Sequence, residues 1–206
     1  MKRTILSIFL ASSLSLVLYS QDFEGTILYE VSYLNLSEEI RKMLPDETTQ
    51  VLFSMKGDKT KMEMEMMGAK MVMISDMKAN VMTSYTDVMG QKIKSTNSTE
   101  NTESIEIEKT DETKKVAGYL CKKVIMKQPE IGSIDVYYAP DLKSSAFLSL
   151  QPSFKELKGI PLEYQMSQQG MSMIYTATEV VKKGISDSTF DPPPGDYKEA
   201  PALPKY

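Results

Sequence analysis

Residues 51–77 read VLFSMKGDKTKMEMEMMGAKMVMISDM, and the punctuation of this stretch decides the fold. Gly57-Asp58 and Gly68-Ala69 each set glycine at the first central position of a two-residue loop, which is what a type II′ hairpin turn requires. Three strands in a meander follow. Those loops pair Met55 with Thr60, Phe53 with Met62 and Val51 with Met64, then Met66 with Met71 and Met64 with Met73. Side chains alternate along a strand and keep their facing across a hairpin, so Val51, Phe53, Met55, Met62, Met64, Met66, Met71 and Met73 share one face. The other face collects Ser54, Lys61, Glu63, Glu65 and Asp76, with Val72 and Ile74 as apolar exceptions. One side is thioether and aromatic; the other is mostly charged.

Upstream, FEGTILYEVSY at 23–33 alternates apolar and polar residues as a long half-buried strand does. Ser37 with Glu38 and Glu39 resembles an N-cap and acidic first turn, opening a short helix through Leu44 that Pro45 ends. Downstream, Asn80 to Asp87 reads as a strand in which either Met82 or Tyr85 faces the methionines, depending on loop length. Met89-Gly90 turns the chain and Lys92 to Lys94 begins a further strand, whereas Ser95 to Glu103 lacks apolar periodicity and reads as an exposed loop. Ile105 and Ile107 alternate with acids, and Thr110 to Lys115 is polar again.

Val116 to Met126 and Ile131 to Tyr138 are two more strands, joined by Gln128-Pro129-Glu130. In Lys143 to Lys158, Phe147, Leu150, Phe154 and Leu157 recur at helical spacing but Pro152 divides them, which predicts one or two short helical turns. Pro161 to Met166 and Met171 to Val181 make a last hairpin around Gln168-Gln169-Gly170. The runs DPPPG at 191–195 and PALPKY at 201–206 cannot continue a sheet, so residues 191–206 read as an extended tail. The expected fold is mainly β: about nine to eleven strands by hairpin spacing, in a strongly curved antiparallel sheet or half-barrel with one or two short helices.

The first 20 of the 206 residues differ from the rest. Met1-Lys2-Arg3 is positive, Thr4 to Leu18 is apolar and small Ser20 precedes Gln21, the layout of a secretory signal peptide. Leu18 is large for its place before the cut, so an uncleaved anchor is the alternative. Residues 21–190 read as one domain. Without residues 1–20 the formal charge goes from −4 to 22 − 28 = −6. An acidic balance with no dense basic stripe argues against nucleic acid as partner, and the expected location of this soluble domain is periplasmic or secreted. The single Cys121 cannot form an internal disulfide and sits in a strand-like run, where a buried apolar role is expected. The chain has no histidine, so no Ser-His or Cys-His pair exists.

FEGTILYEVSY, MKGDKTKMEME followed by MISDM, AGYLCKKVIM leading into DVYYAPDL, KGIPLEY and ISDSTFDPPPGDYKE together resemble an uncharacterised family of exported Bacteroidota proteins, a domain of unknown function of the 4412 type. That resemblance spans nearly the whole chain after residue 20 and implies no activity. More loosely, the pattern is similar to the LolA and LolB lipoprotein carriers, which implies an incomplete antiparallel barrel around an apolar cavity. The chain departs from LolA by opening with a strand, so no ligand residue carries over.

Three functions compete on the residues. The first is a non-catalytic module whose concave face, carrying Val51, Phe53, Met55, Met62, Met64, Met66, Met71 and Met73, holds a lipid, an acyl chain or an apolar peptide, or a lipidated partner. Methionine suits it because an unbranched thioether repacks around variable shapes. A packed, ligand-free face of a structural or interaction domain reads equally from the same pattern. The second is binding of Cu(I) or Ag(I) by thioethers, which prefer soft ions, with ligands drawn from neighbouring strands. The third is an enzyme using Glu63 with Glu65, or Asp135 near Glu163, but alternating acids on a strand read as a solvated face. The expectation is no catalysis and no cofactor.

Overall fold

A computed structural model describes residues 22–34, 36, 38–43, 48–66, 68–98, 105–128, 132–168 and 171–200. The expected leader at 1–20, the Ser37 cap, the Pro45 stop, the polar run at 99–103, Pro129-Glu130, Gln169-Gly170 and the PALPKY end lie outside the described residues.

Hairpin follows hairpin along the chain. β1 (Gly25–Leu34) is followed by α1 (Glu38–Met43), β2 (Thr48–Lys56), β3 (Lys59–Met66), β4 (Ala69–Asp76), β5 (Val81–Val88) and β6 (Gln91–Ser98). A second run comprises β7 (Glu106–Val116), β8 (Tyr119–Gln128), β9 (Gly132–Ala139), α2 (Ser145–Leu150), a 3-10 turn at Pro152–Phe154, β10 (Ile160–Gln168) and β11 (Met171–Lys182). A 3-10 turn at Asp187–Phe190 and the two-residue β12 (Lys198–Glu199) finish it. All twelve strands form one sheet in the order β12-β6-β5-β4-β3-β2-β1-β11-β10-β9-β8-β7, antiparallel except for β12 beside β6. The ladder passes from the first run to the second where β1 pairs with β11, and β12 returns to pair with β6.

Chain length forces the curvature. Ten strand spacings of about 4.8 Å would set β6 and β7 about 48 Å apart in a flat sheet. Only eight peptide steps separate Ser98 from Glu106, a reach of about 29 Å at most. The sheet therefore curls strongly, as expected, without closing into a barrel.

Inside the curl sits α2, packed against β2, β3 and β4. Ser144 caps it by accepting the Phe147 N–H at 3.2 Å. Ala146, Phe147, Leu150, Phe154 and Leu157 are all buried, so the helical spacing seen in the sequence is the face of a plug. Phe147 meets Phe53 with ring centroids 5.3 Å apart, Phe154 meets Tyr164 at 4.8 Å edge-on, and Tyr164 stacks on Tyr175 at 4.9 Å. Tyr29 closes the aromatic cluster, donating its hydroxyl to the Pro161 carbonyl at 2.7 Å.

The strands number twelve rather than nine to eleven, a turn at Ala117-Gly118 starts β8 only at Tyr119, and four further details differ from the sequence reading. Residues 95–98 are strand rather than loop, with Ser95 opposite Ser84 and Asn97 opposite Met82. Their polarity reflects a place near the sheet edge, where ladder bonds rather than burial hold the strand. Thr110 to Lys115 likewise belongs to β7, which runs on through an irregularity between Lys109 and Thr113. As an edge strand it carries charge on both faces, the usual guard against pairing with another chain. The tail is no free extension: Lys198–Glu199 adds to β6, the Ala200 N–H donates to the Lys94 carbonyl at 2.7 Å, and Tyr197 packs edge-on against Tyr85 at 5.2 Å. Finally, the second loop of the methionine meander falls at 67–68 rather than 68–69, because Met66 pairs with Ala69.

The Tyr164 hydroxyl is buried without a hydrogen-bond partner among the described residues. Tyr164→Phe is expected to raise stability by about 1–3 kcal/mol, the penalty of a buried unsatisfied group. Burial holds the hydroxyls of Tyr164, Tyr29 and Tyr175 neutral beyond the ordinary tyrosine range. Unfolded tyrosines ionise near pH 10, so this contribution is intact below about pH 10 and lost as pH rises past it. Urea midpoints should therefore drop between pH 8 and 10.5, and drop less in the Tyr164→Phe variant. An equal drop would count against the buried hydroxyl.

Candidate functional site

The Val51–Met77 meander forms with its first loop where expected. Lys56 pairs with Lys59 around Gly57-Asp58, and Gly57 adopts φ +54° at the first central position. Val51 lies opposite Met64, Phe53 opposite Met62 and Met55 opposite Thr60. Across the next hairpin Met62 lies opposite Met73 and Met64 opposite Met71, a two-residue slip from the expected pairs. A slip of two preserves facing. The eight side chains therefore occupy one face, and Met82 extends it, since Met82 pairs with Ser75 and Ser84 with Met73. Tyr85 lies on the other face, against Val72.

Burial divides this face. Val51, Phe53 and Met55 are fully buried and Met62 is 6% exposed; together with Thr60 and Ser75, also fully buried, they lie in the packed core under the plug. Met64, Met66, Met71 and Met73 are half-buried, with Met64 and Met73 packed against the margin of that core. Tyr33, half-buried beside them, donates its hydroxyl to the Met66 Sδ at 3.1 Å. A hydroxyl has one proton, so the 2.7 Å contact between Tyr33 and Thr49 has the threonine as donor. This chain, Thr49 to Tyr33 to Met66, fixes the position of the outermost thioether. Met166 and Met173 flank Tyr33 across β11 and β10, with Tyr33 opposite Met173 and Met173 opposite Met166.

A cavity of about 450 Å³ lies elsewhere, between β7–β9 and residues 155–158, and none of the eight predicted residues lines it. The acids weighed as a catalytic pair are held in ion pairs: Glu63 with Lys61 at 2.9 Å, Asp135 with Lys123 at 2.8 Å and Glu163 with Lys114 at 2.7 Å. Lys123 also reaches Glu112 at 3.2 Å, whose carboxyl the Tyr137 hydroxyl, and then Lys123, hold below the usual range. These groups tie β7, β8 and β9 together across their faces. Cys121 is buried, as expected, and burial pushes its thiol up to about 11. Among the described residues no group of three or more Cys, Asp and Glu side chains is placed to hold a metal ion. No helix there is long and apolar enough to cross a membrane.

Sequence reasoning placed the face but missed Tyr33 and Met173 as its neighbours, because the pairing of β1 with β11 joins residues far apart in the chain. The sequence profile of a family described as Domain of unknown function (DUF4412) matches residues 37–197. No curated protein matches the chain. Structures of PNGF-II in the P21 and C2 space groups are each similar over 86% of this chain at 21% identity and a TM-score of 0.52. The chain spans 31% of PNGF-II. An uncharacterized conserved protein from Thermus thermophilus is similar over 86% of this chain and 90% of its own length, at 6% identity and a TM-score of 0.50. At such identities the likeness is one of fold. None of the three is named as a lipoprotein carrier, so the looser LolA and LolB likeness gains no support from them.

Proposed function

The chain belongs to the family of the Domain of unknown function (DUF4412), and for it we propose an exported, non-catalytic protein that holds an apolar ligand against its methionine face. The ligand is a lipid, an acyl chain or an apolar peptide, presented free or by a lipidated partner. What carries the reading is the partition of one continuous face: Val51, Phe53, Met55 and Met62 are locked in the core, while Met64, Met66, Met71 and Met73 stay half-buried beside them. The buried four act as a rigid floor and the other four as a deformable lining. A guest that completes the burial of those thioethers gains part of the roughly 1.5–3 kcal/mol available per apolar side chain. The layout of residues 1–20 supports export to the periplasm or beyond.

Native mass spectrometry of gently purified protein tests this. A co-purified apolar mass is expected, absent from a Met64→Lys, Met71→Lys double variant but retained by Met89→Lys, whose parent residue is 93% exposed on a turn. Retention by the double variant would sink the reading. Under mild peroxide, sulfoxide is expected first at Met89 and last at fully buried Met55 and Met126, with Met64, Met66, Met71 and Met73 between and slowed by ligand.

One observation favours a second reading, soft-metal binding: Met64 with Met71 and Met62 with Met73 are direct cross-strand neighbours, as a shared Cu(I) or Ag(I) needs. Titration with Cu(I) against a competing chelator decides it. Affinity unchanged both in the double variant and in Met73→Lys would exclude this site.

A further inference from the structure

We propose that the 450 Å³ cavity between β7–β9 and residues 155–158 is a second site, which takes a single-chain amphiphile with a carboxylate head. Its volume lies within the roughly 300–1,000 Å³ typical of small-molecule sites. Ile105, Ile107 and Val124 form an apolar floor, Tyr138 one side, and Leu157 the roof. Leu157 is 7% exposed and its N–H bonds to the Phe154 carbonyl at 2.9 Å, so the plug itself pins the roof down.

Lysines stand at the mouth. Lys109 continues the row of Ile105 and Ile107 on one face of β7, and Lys155 and Lys158 come from the overlying segment; all three are exposed. None of the three has a carboxylate partner among the described residues. Elsewhere on β7 and β8, Lys114, Lys123 and Lys127 each sit within 3.0 Å of an acid, while Lys115 and Lys122 have no acidic partner among the described residues but do not line the cavity. With Glu156 as the acid at the rim, the mouth carries 3 − 1 = +2 on a chain whose formal net charge is −4. An apolar floor beneath unpaired cations suits an aliphatic tail that enters first and an anionic head that stays at the surface. The lysines add selectivity for the head, while the tail supplies most of the binding.

The test titrates the full chain with a fluorescent polyene fatty acid, read without interference because the chain has no tryptophan. Dodecanoate, dodecanol and vesicles of anionic phospholipid then compete. Saturable uptake is expected, with dodecanoate displacing the probe at a concentration lower than dodecanol by about tenfold, the order that three exposed ion pairs supply. The Lys109→Glu, Lys155→Glu, Lys158→Glu variant, altered only at exposed positions, should lose that preference. Ile107→Phe, which fills the floor and keeps the chain free of tryptophan, should weaken both competitors. The Met64→Lys, Met71→Lys variant should leave the preference intact, which separates this site from the methionine face. The proposal is overturned by absent uptake, by equal displacement with acid and alcohol, by a preference that survives lysine reversal, or by displacement with vesicles alone, which would mean that the lysines read a membrane surface.

Discussion

Phe147→Ala is expected to lower the stability of the fold by about 3–5 kcal/mol, the range for removing a buried aromatic ring from a core. The ring is completely buried and lies against Phe53 with centroids 5.3 Å apart. α2 has only six residues, too few to be stable alone, so it exists because Ala146, Phe147 and Leu150 are packed. Against a total of about 5–15 kcal/mol for a typical domain, that loss is about a fifth or more. A second consequence follows from position: loosening the plug uncovers Met55 and Met62, whose oxidation by peroxide should then approach that of Met64. Met71→Ala, at a half-buried position, should lower stability by only about 1 kcal/mol. Urea unfolding of the two variants measures the contrast. A loss below about 1 kcal/mol for Phe147→Ala would mean that the helix is not held by its packing against β2, β3 and β4.

Gly25→Ala should be nearly as damaging, for a backbone reason. Gly25 has φ +152°, and a Cβ there would stand 2.0 Å from the Val181 carbonyl oxygen and 3.0 Å from the Phe23 ring. The oxygen belongs to β11 and cannot withdraw alone. Gly25 pairs with Lys182 on one side and Met55 on the other, at the seam where the two hairpin runs join. Relief requires shifting β1 against both neighbours, and a loss of about 2–4 kcal/mol is expected. Gly57→Ala is the control: Gly57 also has positive φ, at +54°, but a Cβ there meets nothing within 4 Å. It should lose only the roughly 1–2 kcal/mol of a left-handed non-glycine residue. Equal losses in thermal or urea unfolding would show that the contact with Val181 is relieved elsewhere.

The methionine meander was legible because its information is local. Gly57 specifies a two-residue turn, the turn sets the register, and period-two alternation sends Phe53, Met62 and Met73 to one side. The Gly68 loop was misplaced by one residue because Met67-Gly68 and Gly68-Ala69 are both acceptable two-residue loops on composition. Pairing of Met66 with Ala69 selects the former and moves each cross-strand partner by two, which leaves the facing untouched. Residues 95–98 and 110–115 were illegible for another reason. Strands near the sheet edges bury little, so no apolar period marks them, and neighbouring strands supply the ladder that holds them.

By itself the sequence determined that hairpins succeed one another, which residues of the meander share a face, that a short helix follows Leu142, and that no histidine chemistry is available. These are consequences of turn stereochemistry, side-chain alternation and composition, all of which act within a few residues. Only the tertiary structure decided that half of that face is core and half stays half-buried, because the division depends on where Phe147 comes to rest against Phe53. It also decided that the hollow beside β7–β9 gathers Ile105, Val124, Leu157 and three lysines without acidic partners among the described residues, rather than methionines. Burial and charge pairing between distant segments are properties of the assembled curl, fixed when β1 meets β11 and the plug closes.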